Sequence, residues 1–134
     1  MPGIPDIAKR GGISGSSDTD RTDWLRVCAS AALVDRAEGL RFEVSVGGKP
    51  LPAFVIRHDG RARAYLNQCA HVPVELDWQA GRFFDDEGQY LICATHGATY
   101  RPDDGFCVAG PCRGRRLQAL ECEEHSGGVW VRRP

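Results

Sequence analysis

The sequence carries no marked excess of charge of either sign, and it contains no long apolar run. Its 17 lysines and arginines nearly balance 18 aspartates and glutamates, so the formal net charge is −1. Nucleic-acid binding needs a concentrated basic surface to neutralise phosphates, and this balance argues against such a partner. The most apolar early run, residues 27–34, is interrupted by Cys28 and Ser30. It is much shorter than the roughly 18–20 apolar residues that span a bilayer, so we expect no membrane anchor.

Export signals are also missing from the N-terminus. Residues 1–12 contain neither the apolar stretch of a secretory signal nor a twin-arginine pair. A cytoplasmic location is therefore the default expectation. In that reducing compartment, the six cysteines are expected to be metal ligands or buried thiols and not a disulfide framework.

The distribution of turn residues divides the chain into a tail and one domain. Residues 1–22 are rich in glycine, serine, aspartate and proline and are expected to form a flexible tail. Residues 23–134 then read as short strands separated by turns, with little evidence for helix. This pattern predicts an all-β sandwich or barrel. The predicted strands are residues 24–28, 41–46, 53–58, 61–66, 90–93, 118–123 and 129–132, with tight turns at Asp59-Gly60 and Gly127-Gly128.

Two short segments concentrate the metal-binding residue types. One is Cys69-Ala70-His71 and the other is Cys93-Ala94-Thr95-His96, and each follows a strand-like run. The residues alone leave three interpretations open. The first is two buried thiols and two histidines without a shared role. The second is a structural zinc site, although zinc sites usually pair cysteine with cysteine and histidine with histidine on each arm. The third is a 2Fe–2S centre with two cysteines on one iron and two histidines on the other, which needs one of each from every loop.

These mixed loops resemble those of the Rieske iron–sulfur family. The resemblance covers about residues 24–131 and includes residues 96–100, Gly105, the Gly110-Pro111 loop and the final strand around Trp130. It implies a Rieske-type antiparallel β-sandwich or barrel whose small cluster-binding part, about residues 67–114, is built from two loops. It also implies one 2Fe–2S cluster. The resemblance assigns Cys69 and Cys93 to the buried iron, and His71 and His96 to the outer iron, with Gly110 and Pro111 closing over the cluster.

Departures from the family pattern bear on the reduction potential. High-potential members carry an extra cysteine in each loop, and the two form a disulfide, but the matching positions here are Val74 and Thr95. The position of a serine that bonds a bridging sulfide is Ala98, whereas Tyr100 keeps the tyrosine that bonds a ligand sulfur. Each such bond favours the reduced, more negative cluster. The resemblance therefore implies a low or intermediate potential.

The function implied by the resemblance is that of a soluble Rieske-type ferredoxin, a one-electron carrier and not an enzyme. The expected partners are redox proteins, with a reductase as donor and an oxygenase or another redox enzyme as acceptor. A Rieske oxygenase also needs a mononuclear iron held by two histidines and a carboxylate, and only His125 follows the cluster loops. Two alternatives stay open: a small electron-transfer subunit of a larger reductase, which would co-purify with it, and a redox or iron–sulfur sensor.

Three further residues have competing interpretations. Cys107 and Cys112 flank the Gly110-Pro111 loop. The favoured interpretation is two packed small residues, and the alternative is a redox-active pair or disulfide, which would suit a sensor. Trp78 is expected to cap the local core, with contact to a partner protein as the alternative.

Overall fold

The computed structural model describes residues 23–70, 74–95 and 97–134, so the predicted tail at residues 1–22 lies outside the described residues. A short 3₁₀ turn spans Ser30–Ala32. The described ranges contain no helix long and apolar enough to cross a membrane. The ten strands are β1 (Trp24–Ala29), β2 (Leu40–Val46), β3 (Lys49–His58), β4 (Arg61–Leu66), β5 (Leu91–Ile92), β6 (Thr99–Tyr100), β7 (Cys107–Ala109), β8 (Ala119–Leu120), β9 (Cys122–His125) and β10 (Gly128–Arg132).

The strands form three sheets. The first has the order β1-β10-β9, the second β2-β3-β4-β8, and the third β5-β6-β7. All neighbouring strands within these sheets pair antiparallel. The prediction of an all-β, antiparallel fold is confirmed.

Two predicted turns and one predicted strand can be compared directly with the structure. His58 pairs with Arg61, and Asp59 and Gly60 between them have φ of 53° and 79°, as the predicted type I′ turn requires. The second predicted turn is one residue too late, because His125 pairs with Gly128 and the turn residues are Ser126 and Gly127. The predicted strand at residues 118–123 is two strands, since β8 belongs to the second sheet and β9 to the first.

Strand β3 is buried on both of its faces, which explains its unbroken apolar run. Ala53 and Val55 pack in the core of the two larger sheets. Phe54 and Ile56 alternate with them and pack in a second core that also contains Cys69 and Cys93. Because side chains in a strand alternate between faces, one strand serves as a wall shared by the two cores.

The side chain of Arg57 joins the first and second sheets. Its terminal nitrogens contact both carboxylate oxygens of Glu124 on β9, at 3.0 and 2.5 Å. Its Nε donates to the carbonyl of Leu33 at 2.9 Å, and further bonds reach the carbonyls of Ser30 and Gly60. The hydrogen bond from Arg57 lowers the pKa of Glu124 below its usual value. A two-pronged pair of this kind is stronger than a single exposed ion pair.

We expect Glu124→Gln to lower the free energy of unfolding at pH 7 by about 1–2 kcal/mol, because a charge-assisted bond to Arg57 is lost. A carboxyl whose folded pKa is depressed stabilises above its unfolded pKa, near the ordinary value of 4.5, and loses this contribution as the pH falls through the folded pKa. The difference between the two proteins in urea unfolding should therefore shrink below about pH 4.5. Glu121→Gln removes the more exposed pair with Arg132 and serves as the control. If Glu121→Gln lowered the free energy of unfolding as much as Glu124→Gln does, the pair of Arg57 with Glu124 would be no more stabilising than an exposed ion pair.

Candidate metal centre

The two loops predicted to bind metal lie side by side at one end of the second core. We call residues 67–77 the first cluster loop and residues 93–98 the second cluster loop. Cys69 and Cys93 are 4% and 0% exposed, belong to the same core cluster and take no part in a disulfide. His71 and His96 lie outside the described residues. The backbone amide of Ala94 donates to the carbonyl of Leu76 at 3.0 Å, which joins the two loops.

The second cluster loop is the tip of the hairpin formed by β5 and β6. The amide of Cys93 donates to the carbonyl of Ala98 at 2.8 Å, and the amide of Gly97 donates to the carbonyl of Cys93 at 2.8 Å. These bonds hold the backbone of the loop in a tight turn. They keep the Cys93 side chain on the buried side of the hairpin.

The first cluster loop is closed at its base by a buried polar network that sequence reasoning missed. Asn67 follows β4, and its side chain accepts from the amide of Leu76 at 2.8 Å and donates to Asp77 at 2.9 Å. The other Asp77 oxygen accepts from the amide of Gly81 at 2.9 Å. Within the loop, the amide of Cys69 donates to the carbonyl of Val74 at 2.8 Å. The one sequence feature that could have indicated this network is the asparagine at the end of a strand, because asparagine side chains commonly form hydrogen bonds with nearby backbone groups.

Tyr100 places a hydroxyl against one of the two cysteines. Its Oη lies 3.1 Å from Cys69 Sγ and accepts a hydrogen bond from the amide of Ala70 at 3.0 Å. A metal-bound thiolate has no proton and can only accept, so the hydroxyl would be the donor of this contact when Cys69 is a ligand. Burial, and then the contact with Cys69, raise the pKa of Tyr100 well above its usual value. The hydroxyl therefore keeps its proton at physiological pH and is able to donate it to a hydrogen bond.

Two other residues that the resemblance places around the cluster, Ala98 and Gly110, lie together at the second cluster loop. Ala98 is fully buried at the end of that loop. Gly110 packs on it so closely that a Cβ at this position would lie 2.9 Å from the Ala98 Cα. Pro111 is exposed. Gly105, with φ of 75°, has no room for a side chain because a Cβ would lie 2.8 Å from the Tyr65 ring.

Cys107 and Cys112 form a disulfide, so the favoured interpretation as two packed small residues was wrong. For these two cysteines, the general expectation of metal ligands or buried thiols was also wrong. Both residues are fully buried in the same core cluster as Cys69 and Cys93. In the chain-entropy model, closing a loop this short stabilises the folded state by about 2 kcal/mol.

Trp78 does not cap the core, contrary to our expectation. It is 87% exposed and lines a shallow cavity together with Phe84, Ile92 and Ala94. Ala94 is a member of the second cluster loop. An exposed tryptophan beside apolar side chains is typical of protein contact surfaces, which favours the alternative interpretation.

The described residues fit an iron–sulfur cluster. Two buried cysteines from separate loops offer the soft thiolate ligands that such clusters use. A tyrosine hydroxyl directed at one of the sulfurs supplies the outer hydrogen bonding that tunes such centres. The donors that the resemblance assigns to the outer iron, His71 and His96, follow these cysteines by two and three residues.

Comparisons with solved structures show similarity to both small and large iron–sulfur proteins. One is a chain of the complex of reduced oxygenase and oxidized ferredoxin in carbazole 1,9a-dioxygenase, with 25% identity, a TM-score of 0.62 and coverage of 82% of this chain and 93% of that one. The ferredoxin of carbazole 1,9a-dioxygenase from Nocardioides aromaticivorans IC177 has 22% identity and a TM-score of 0.63, with 83% and 98% coverage. A quaternary ammonium Rieske monooxygenase has 21% identity and a TM-score of 0.66, with 84% and 31% coverage.

This chain thus spans nearly all of the ferredoxin and less than a third of the monooxygenase. No curated protein matches it. The model of the Rieske [2Fe-2S] domain matches residues 23–127, which is most of the sequence. The chain therefore belongs to the Rieske [2Fe-2S] domain family and carries one Rieske-type 2Fe–2S cluster.

Proposed function

We propose that this chain is a one-electron carrier whose cluster is held by Cys69 and Cys93 on the inner iron and by His71 and His96 on the outer iron. The observation that carries the proposal is the pair of buried cysteines on adjacent loops, one of them contacted by the Tyr100 hydroxyl. When bound, the cluster supplies the one-electron couple. The protein residues bury the thiolate side and set the hydrogen bonding of the sulfurs.

A ferredoxin-like role, and not catalysis, is supported by the extent of the structural similarity. The similarity covers 98% of the carbazole dioxygenase ferredoxin but 31% of the monooxygenase chain. Another similar structure is a complex of the oxygenase and the ferredoxin in carbazole 1,9a-dioxygenase. By analogy, we propose a reductase as the electron donor and an oxygenase or similar redox enzyme as the acceptor. The exposed Trp78, close to Ala94 of the second cluster loop, is our candidate contact for one of these partners.

A sensor role based on Cys107 and Cys112 is not supported by the energetics. Rieske centres have potentials of roughly −150 to +300 mV, whereas buried structural disulfides are typically below about −300 mV. Electron flow from the cluster to the disulfide would therefore be uphill by about 150 mV or more. Both sulfurs are also fully buried, so an external thiol has no direct access to them. A low reduction potential and buried sulfurs would also protect the disulfide from reduction by cytoplasmic thiols. We propose the cytoplasm as the location of the protein.

The proposal is tested by a redox titration of the purified protein, monitored by EPR at several pH values. We expect a Rieske-type signal with a low or intermediate potential that falls as the pH rises, because oxidation makes the ligand imidazoles more acidic. A potential in the respiratory range would contradict our interpretation of Val74, Thr95 and Ala98. A purified protein with no reducible cluster, or with zinc in its place, would contradict the proposed function.

Tyr100→Phe should lower the reduction potential by about 40 mV, because a hydrogen bond worth about 1 kcal/mol to the reduced state is lost. The cluster itself should remain, since the phenyl ring keeps the packing of the buried side chain. The opposite change is expected for Ala98→Ser, which restores the hydroxyl found in high-potential members. Potentiometric titration of the three proteins measures both shifts. Equal potentials in the wild type and Tyr100→Phe would show that the 3.1 Å contact with Cys69 does not tune the cluster.

A further inference from the structure

We propose that the disulfide-closed loop at residues 107–112 fastens the two cluster loops to each other, in place of the bridge that Val74 and Thr95 cannot form. The inference rests on the proposed function in one respect only, the presence of the cluster between these loops. Its structural basis is a pair of contacts, one from the closed loop to the second cluster loop and one from Arg115, just outside the closed loop, to the first cluster loop. Both contacts start from residues that the disulfide holds in position.

The contact with the second cluster loop is made by Gly110, inside the closed loop. Its φ is 94°, and a Cβ added there would lie 2.9 Å from the Ala98 Cα and 3.1 Å from the Gly97 carbonyl oxygen. The two backbones therefore touch with no side chain between them. The pairing of Thr99 with Ala109 continues this contact into the third sheet.

The contact with the first cluster loop is made by Arg115, next to the closed loop. Two backbone hydrogen bonds of 2.8 Å hold it there, from the amide of Cys107 to the Arg115 carbonyl and from the amide of Arg115 to the Cys112 carbonyl. The Arg115 guanidinium donates to the carbonyl of Ala70 at 3.4 Å. Ala70 lies between the proposed ligands Cys69 and His71. The backbone of Arg115 is thus bonded to both cysteines of the disulfide, and its side chain contacts the first cluster loop.

The covalent bond is the element that keeps these two contacts together. Without it, Cys107 stays in β7 through its pairing with Tyr100, but the chain around Cys112 and Arg115 is held only by non-covalent contacts, among them the two backbone hydrogen bonds. Closing a loop limits the conformations open to its residues. The disulfide therefore acts as a positioning device for the cluster loops. It is not a ligand and not an electron carrier.

The first test is the double variant Cys107→Ala/Cys112→Ala, studied as the cluster-loaded protein beside the wild type. We expect iron release to a chelator to accelerate about tenfold and the EPR g values of the reduced cluster to shift. Hydrogen exchange followed by mass spectrometry should become faster in peptides covering residues 67–77 and 93–100. Peptides of the β2–β3 hairpin should exchange as in the wild type. Unchanged iron release, or faster exchange spread evenly over the whole protein, would overturn the proposal.

A second variant tests the same idea with the disulfide intact, and it decides the matter if the double variant does not fold. Gly110→Ala places a methyl group against Ala98 and should give the same accelerated iron release and local exchange. Gly48→Ala is the matched control, because Gly48 has a similar φ of 82° but nothing lies within 4 Å of the added carbon. Similar behaviour of Gly110→Ala and Gly48→Ala would overturn the proposal. A wild type without a Rieske signal would instead contradict the proposed function.

Discussion

Replacement of Cys93 by alanine is expected to leave the chain without its cluster, so that purified protein shows no Rieske EPR signal and almost no bound iron. The thiolate is a direct ligand in the proposed site, and no described cysteine lies free beside it to take its place, since Cys107 and Cys112 are joined to each other. Cys69→Ala should give the same result. Iron content per chain and the EPR amplitude measure the effect.

Cys122→Ala is the control for cysteine replacement. Cys122 is half-buried against the core of the two larger sheets. Burial raises the pKa of its thiol to about 11, so it is protonated at neutral pH and is a poor metal ligand. The variant should keep full iron content and an unchanged signal. A cluster that survives in Cys93→Ala, or is lost in Cys122→Ala, would contradict the ligand assignment.

The two histidine ligands are tested in the same way. His71→Ala and His96→Ala should each abolish the Rieske-type signal, because the outer iron loses one of its two imidazoles. His125→Ala should leave it unchanged, since His125 stacks on Trp130 at a centroid distance of 5.2 Å and belongs to the first sheet. Retention of the signal without His71 would argue for a different ligand set.

The second large effect is expected for Asp77→Ala, which should lower the free energy of unfolding by about 3–5 kcal/mol. The Asp77 side chain is fully buried. It accepts from Asn67 and from the amide of Gly81, and its Oδ2 lies 3.4 Å from Arg41 Nε. Alanine leaves two buried donors without an acceptor, and each costs more than the original bond contributed. Urea unfolding monitored by circular dichroism measures the loss.

The position of Asp77 adds a second expected result. Because Asn67 and Asp77 close the base of the first cluster loop, iron release should accelerate together with the loss of stability. Asp86→Ala removes an exposed carboxylate from the neighbouring chain segment and should change the stability by less than about 0.5 kcal/mol. A loss in Asp77→Ala no greater than in Asp86→Ala would show that water satisfies the freed donors.

The features predicted correctly are those carried by neighbouring residues. The turn at Asp59 and Gly60 depends on two adjacent residues, and the long strands repeat an alternating or apolar pattern. The family assignment came from two short loops and the Gly110-Pro111 pair, and the family model now supports it. The assignment of Cys69, His71, Cys93 and His96 as ligands stays a prediction.

The features that were missed depend on contacts between distant segments or on very short elements. Strands β6 and β7 have two and three residues, too few to show a period. The hydrogen bond between Asn67 and Asp77 spans ten positions. The disulfide requires the chain to turn back between Cys107 and Cys112, and spacing alone does not distinguish this from two packed thiols. The exposure of Trp78 depends on which neighbours fold over it, and those neighbours come from residues 82–94.

The two-faced burial of β3 limits how the cluster-binding half can be transplanted into another protein. A graft of residues 67–114 alone would bring the two cluster loops but leave behind Phe54 and Ile56, against which they pack. The host scaffold would need a strand whose far side presents an aromatic residue within stacking distance of Phe83, as Phe54 does at 4.0 Å. A portable version of this electron-transfer module therefore needs β3 as well as the two loops, because one face of β3 supplies part of the core beneath the cluster.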